Sequence, residues 1–165
     1  MTVSTMLSLL SEGFVTSLLI FVLTLLFSMP LGLAVMFGRR SRLTPLRGFI
    51  KAYISIMRGT PLMLQLMVVF YGPKLLLGVT VPGNWRFTAV IVAFVINYAA
   101  YFAEIYRGGI ESIPRGQYEA AQVLGYTKAQ MFFKIILPQM VKRVIPAVTN
   151  EVITLVKDTS LASVI

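Results

Sequence analysis

The chain has 165 residues, 57% of them hydrophobic and 13% charged, with a mean hydropathy of +0.82. A soluble domain carries about a quarter charged residues, so this composition excludes an ordinary soluble globule and indicates an integral membrane protein. The 15 Lys and Arg against 6 Asp and Glu give a net charge of +9, but the basic residues stand between apolar runs, where they orient a membrane chain and meet anionic lipid rather than nucleic acid. Cys and His are both absent. That removes disulfides, thiolate and imidazole metal sites, cysteine nucleophiles and histidine bases.

The first apolar run, Phe14 to Phe37, carries no charge and is long enough to cross a hydrocarbon core of about 30 Å. It is too long for a signal-peptide core, follows no basic segment and precedes no cleavage pattern. Pro30 and Gly32 are expected to kink it. Arg39, Arg40, Arg42 and Arg47 follow, so the positive-inside rule places this end in the cytoplasm and the N-terminus outside. A second apolar run extends from Phe49 to Tyr71, with Lys51 and Arg58 inside it. Arg58-Gly59-Thr60-Pro61 interrupts it, and reads as a snorkelling Arg beside a kink. Gly72, Pro73, Lys74, Gly78, Pro82, Gly83 and Asn84 read as an external loop, with Leu75 to Leu77 lying at the interface.

The third span runs from Trp85, an outer interface anchor, to Tyr106, which with Arg107 forms an inner one. Asn97 and Glu104 are its embedded polar residues, and Glu104 is expected to pair with Arg107. Residues 107–134 are polar and read as a cytoplasmic loop of two short helices. Gly108-Gly109 reads as the turn that opens it. Ser112 is expected to cap the first helix, with Pro114 in the first turn and Gly125 ending it in a left-handed conformation. Thr127-x-x-Gln130 is a capping box for the second. The last span starts near Met140, after Pro138, and returns outward to about Val156, with Lys142 and Arg143 at its inner end. Leu161 to Ile165 opens a new apolar stretch, so a final helix is expected beyond it.

The cytoplasmic stretch reads Glu119-Ala120-Ala121, three residues, Gly125, nine residues, then Ile135-x-Leu137-Pro138. This resembles the EAA motif of binding-protein-dependent ABC permeases. Arg58-Gly59-Thr60-Pro61-Leu62 with Gln65-Leu66 and Tyr71-Gly72 resembles the polar amino acid subfamily. So do Glu104 to Ile110 with Ile113-Pro114-Arg115-Gly116-Gln117, and Lys157-Asp158-Thr159-Ser160-Leu161. The resemblance implies an all-α fold of polytopic membrane helices, the MetI-like importer permease fold. It has four spans in view and a fifth after this point, over a single permease domain, residues 1–165. It also implies a permease subunit of an ATP-driven amino acid importer in the bacterial inner membrane. Its partners would be an ABC ATP-binding subunit, a second permease subunit (identical or not), an extracytoplasmic amino-acid-binding protein and the lipid bilayer. In the family the EAA element is the coupling helix. Glu119 supplies a charge there, Ala120 and Ala121 a close-fitting surface, and Gly125 the turn. No GxxxxGK[ST] motif exists in the chain, so it is expected to hold no cofactor, with ATP and Mg on the partner ATPase.

Ionisable residues inside a bilayer are costly and mark functional sites. Glu151 lies about eleven residues into the last span, near the midplane at about 1.5 Å per residue. Asp158 is seven residues on, on the same helical face, with Thr154 between them and Asn150 adjacent. With Asn97 of the third span, these residues suit an ammonium or guanidinium group. The substrate is therefore expected to be a cationic amino acid such as arginine, lysine or histidine, with glutamine, glutamate and other polar amino acids as the alternative. The structural alternatives are an Asp158 that pairs with Lys157 or caps a helix, and a Glu151 that pairs with an Arg of the second subunit. Lys157 and Ser160 have the spacing of a Ser/Lys dyad, but no oxyanion pattern accompanies them. A passive channel would explain the spans and leave the EAA pattern without a reason. No catalytic and no metal site is expected.

Overall fold

The longest apolar run becomes the longest helix. In the computed structural model, which describes residues 3–80 and 82–164, α1 spans Val3–Arg39, 37 residues or about 55 Å. It runs through Pro30 without interruption. Its buried residues are Ile20, Thr24, Ser28, Gly32 and Met36, a single row at four-residue spacing. Phe14, Leu18, Val22 and Leu26 on its other sides are exposed, as expected of a helix that meets lipid.

The second apolar run is not one helix. α2, Thr44–Gly59, and α3, Leu62–Leu77, meet at a bend of 111°. Pro61 forces the residue before it out of the helical region, and Thr60 is extended at φ −123°, ψ 148°. The expected kink is thus a full break. α3 also continues through Gly72 and Pro73, where a loop was expected, and ends at Gly78, whose φ of +62° lets its N–H reach the Pro73 carbonyl.

α4, Trp85–Glu111, is the central helix, and α1, α2, α3 and α7 all pack on it. Its small residues Ala89, Ala93, Ala99, Ala100 and Ala103 are fully buried and let neighbours approach closely. A Cβ on Gly32 of α1 would stand 2.7 Å from Phe102 Cβ and 3.1 Å from the Ala99 carbonyl oxygen. The helix outlasts the expected span by more than a turn, so residues 107–111 are helical rather than loop. Gly108-Gly109 is not a turn. Gly109 is buried where α7 crosses, and a Cβ there would collide with Val144.

α5, Arg115–Val123, has Pro114 rather than Ser112 at its N-cap, because the Ser112 hydroxyl turns back to donate to the Gly109 carbonyl at 2.7 Å. Gly125 is left-handed at φ +75°, as expected. α6, Lys128–Met131, opens on the full Thr127/Gln130 capping box. A π-helical stretch, Phe132–Ile136, leads directly into α7, Leu137–Asp158. Pro138 offers no N–H and crowds the carbonyl four residues back, and the wider π-turn relieves that crowding. The last helix therefore begins before Met140. A 3₁₀ helix, Thr159–Val164, follows it, and Ile165 lies outside the described residues.

Among the described residues the structure contains no strand, and the all-α expectation holds. α1 and α4 are long and apolar enough to cross a membrane, and the bent α2–α3 pair is a third crossing if counted as one. α7, expected as the fourth, has 22 residues but is not apolar enough to qualify, because Lys142, Arg143, Glu151, Lys157 and Asp158 are spread along it.

The close approach of α1 to α4 gives a direct test. Gly32→Val should destabilise the protein by about 1–3 kcal/mol through overpacking against Phe102, whereas Gly13→Val, with nothing within 4 Å, should leave it unchanged or slightly more stable. Thermal unfolding in detergent micelles checks this, and equal melting points for both variants would contradict the packing.

Candidate functional site

The break between α2 and α3 frees backbone carbonyls that lipid cannot satisfy. Gln65, one turn into α3, reaches back to them. Its Nε2 donates to the Met57 carbonyl at 3.0 Å, the Thr60 carbonyl at 3.1 Å and the Thr60 hydroxyl at 2.7 Å. Asn97 of α4, 4% exposed, donates to Gln65 Oε1 at 2.8 Å and to the Met57 carbonyl at 3.2 Å. Tyr53 of α2 donates to the Ile96 carbonyl one residue earlier on α4. These bonds hold the break against the middle of the central helix.

A cavity of about 240 Å³ opens beside this knot, lined by Thr60, Pro61, Leu62, Asn97, Tyr98, Tyr101, Glu151, Thr154 and Asp158. Pockets for drug-sized ligands run to about 300–1,000 Å³, so this one suits a small solute. Glu151 and Asp158 are half-buried on the α7 wall. Asp158 accepts a hydrogen bond from the Tyr98 hydroxyl at 2.7 Å; it neither pairs with Lys157 nor caps a helix. Arg58 lies over the Tyr101 ring, 5.3 Å from its centroid. The cavity thus has an acidic wall on α7 and the first turn of α3 among its other lining residues, while Arg58 lies outside the lining.

Four of the five residues expected at a substrate site, Glu151, Asp158, Asn97 and Thr154, line this one cavity. Asn150 does not. It is exposed, one residue further round the helix, and its carbonyl accepts from the Thr154 hydroxyl. Asn97 is present with its amide nitrogen already committed to the break. Gln65 belongs to a segment that carries the family resemblance but shows no sign of its role at the break, Tyr98 and Tyr101 carry no sequence signal beyond an apolar-run setting, and the partners of the three lie 32, 60 and 43 residues away.

At the inner end of the fold, Glu104 pairs with Arg107 at 2.8 Å as expected, and also with Arg39 at the end of α1. Arg107 extends the chain of charges to Glu111. On α5, Glu119 and Ala120 are exposed, but Ala121 is only 1% exposed and faces the fold rather than a partner. The open apolar surface belongs instead to Val123, Leu124 and Phe133. Ser160 donates its hydroxyl to the Lys157 backbone carbonyl at 2.8 Å.

Comparison with known proteins follows this geometry. The model of a family described as binding-protein-dependent transport system inner membrane component matches residues 28–165. The chain is 40% identical over 155 residues to the L-cystine transport system permease protein TcyB of Bacillus subtilis, covering 93% of this chain and 64% of that one. It is 40% identical over 154 residues to the arginine transport system permease protein ArtQ of the same organism, covering 93% and 69%. The chain therefore spans about two thirds of the length of these relatives. A crystal structure of an amino acid ABC transporter with histidines superimposes with a TM-score of 0.84 at 34% identity, over 99% of this chain and 77% of that one.

The knot at the break predicts non-additive losses. Gln65→Leu and Asn97→Leu should each cost about 1–3 kcal/mol by leaving buried acceptors unpaired. The double variant should cost clearly less than the sum, because both residues serve the same carbonyl. Thermal unfolding of the four proteins in detergent measures the cycle, and simple additivity would show that the two side chains act independently.

Proposed function

The chain belongs to the family of binding-protein-dependent transport system inner membrane components, and from that premise we propose that it is a permease subunit of an ATP-driven importer of amino acids. The cavity carries this reading. It lies between a broken helix and an acidic helix face at the level of mid-α4, where transporters of many folds hold their substrates. The relatives' names supply the substrate class: one transports cystine and another arginine.

Within that class we favour a cationic substrate. Glu151 and Asp158 receive its ammonium or guanidinium group. Arg58 and the open first turn of α3 attract its carboxylate, since the first N–H groups of a helix have no partner within it. A neutral polar amino acid is the second reading. It is favoured by the bond that already occupies Asp158.

The exposed Val123, Leu124 and Phe133 beside Glu119 and Ala120 form the apolar patch for a separate ATP-binding subunit, which holds ATP and Mg. A second permease subunit and an extracytoplasmic binding protein complete the machine. The cluster Arg39, Arg40, Arg42 and Arg47 supports a reading with the α1–α2 turn and α5 in the cytoplasm and the N-terminus outside the inner membrane.

The test is substrate-stimulated ATP hydrolysis and uptake in proteoliposomes, with the cognate ATPase and binding protein, over a panel of amino acids. Arginine, lysine or histidine should stimulate the native complex, and Glu151→Gln should lower that response by about ten-fold or more, the loss of one charged contact. Stimulation by neutral amino acids alone, untouched by Glu151→Gln, would support the second reading. Absence of any associated ATPase would overturn the importer.

A further inference from the structure

α5 is bound to α7 more firmly than a solvated loop would be. Arg143, in the second turn of α7, donates through Nη1 to the Ser112 carbonyl, the last turn of α4 before the chain enters α5. Gln139, one turn earlier, donates through Nε2 to Gln117 Oε1 on α5 at 3.0 Å and to the Ile135 carbonyl at 3.0 Å. Between these ties α5 packs on the π-turn, where Ile136 is 1% exposed. The π-turn therefore has α5 on its flank and α7 as its direct continuation. From Gln139 the helix runs unbroken, Pro146 included, for 12 residues to Glu151, about 18 Å along its axis.

We propose that Gln139 with Gln117 on α5, and Arg143 with the Ser112 carbonyl at the α4–α5 junction, form a clasp that makes α5, its entry and α7 one mechanical unit. Gln139 and Arg143 are then positioning residues for the coupling of ATP hydrolysis to the cavity. This rests on the importer reading above. A displacement of α5 reaches the acidic wall of the cavity only if it is not dissipated at the α5–α7 contact. Two hydrogen bonds on separate turns of α7, one to α5 and one to the junction that leads into it, resist both sliding and rotation, which packing on a single small surface does not. Neither residue touches the cavity or the exposed patch on α5, so their loss leaves binding at both ends intact.

The experiment uses the native complex in proteoliposomes and records uptake and hydrolysis together. The double variant Gln139→Leu/Arg143→Met should assemble and hydrolyse ATP at the native basal rate, while uptake per ATP falls about five-fold or more, the range of a coupling free energy. Arg143→Lys, which keeps one donor, should retain most of the native ratio. The chain has no cysteine, so Gln117→Cys/Gln139→Cys in an Arg143→Met background offers a clean cross-link. That protein should be uncoupled, and a short bismaleimide joining the two positions should restore uptake per ATP. A native uptake ratio in the double variant, or a cross-link that arrests uptake instead of restoring it, overturns the clasp. A native complex that shows no ATP-dependent uptake overturns the importer reading itself.

Discussion

Everything in the centre of this fold depends on the carbonyls exposed where α2 stops. A helix broken inside a bilayer leaves backbone acceptors that lipid cannot satisfy, and those left unpaired in an apolar setting cost several kcal/mol each. The protein answers with two amide side chains, Gln65 from the next helix and Asn97 from the central one, stacked on the Met57 carbonyl. That arrangement ties α2, α3 and α4 together at one point. It also holds the first turn of α3 open toward the acidic face of α7. Without the knot the Gly59-Thr60-Pro61 segment would have no reason to sit beside Tyr98 and Tyr101, and the cavity would lose one wall.

What the sequence discloses depends on how far apart the interacting groups lie. The Thr127/Gln130 box, the left-handed Gly125 and the Glu104–Arg107 pair are local, spanning three or four residues, and each was readable. The candidate substrate residues on α7 were also readable, because helical spacing alone puts Glu151, Thr154 and Asp158 on one side. The Arg39–Glu104 pair was not, since 65 residues separate its members. Gly109 was misread for a related reason. A Gly-Gly pair after a span carries the signal of a turn, and only the approach of Val144 from α7 shows that the missing side chain serves packing. Ser112 failed as a cap because its hydroxyl found a carbonyl behind it rather than an amide ahead.

The polarity of α7 follows from the same geometry. A helix that meets lipid over most of its circumference, as α1 does outside its one buried row, must be apolar on those faces. α7 has Met140, Val144 and Leu155 buried, and lines the cavity with its acidic residues. Its hydropathy is therefore diluted by the residues that give it interest, and composition alone undercounts it as a span. Intramembrane charge is tolerated where it faces protein or a cavity rather than lipid.

The two walls of the cavity differ mechanically. On one side the chain is helical from Lys128 to Asp158, with a π-turn but no break, and a helix of that length behaves as a rod. On the other side α2 and α3 are separated by a hinge at Thr60 whose geometry is held by side-chain hydrogen bonds. A rod carries a displacement applied at one end to the other, whereas a hydrogen-bonded hinge yields by exchanging partners at a net cost of about 1 kcal/mol per bond. A site placed between a rod and a hinge can change shape in response to a push at the α5 end of the rod while its helices stay folded. That asymmetry, more than the identity of any single polar residue, is what the break in the second span contributes to the structure.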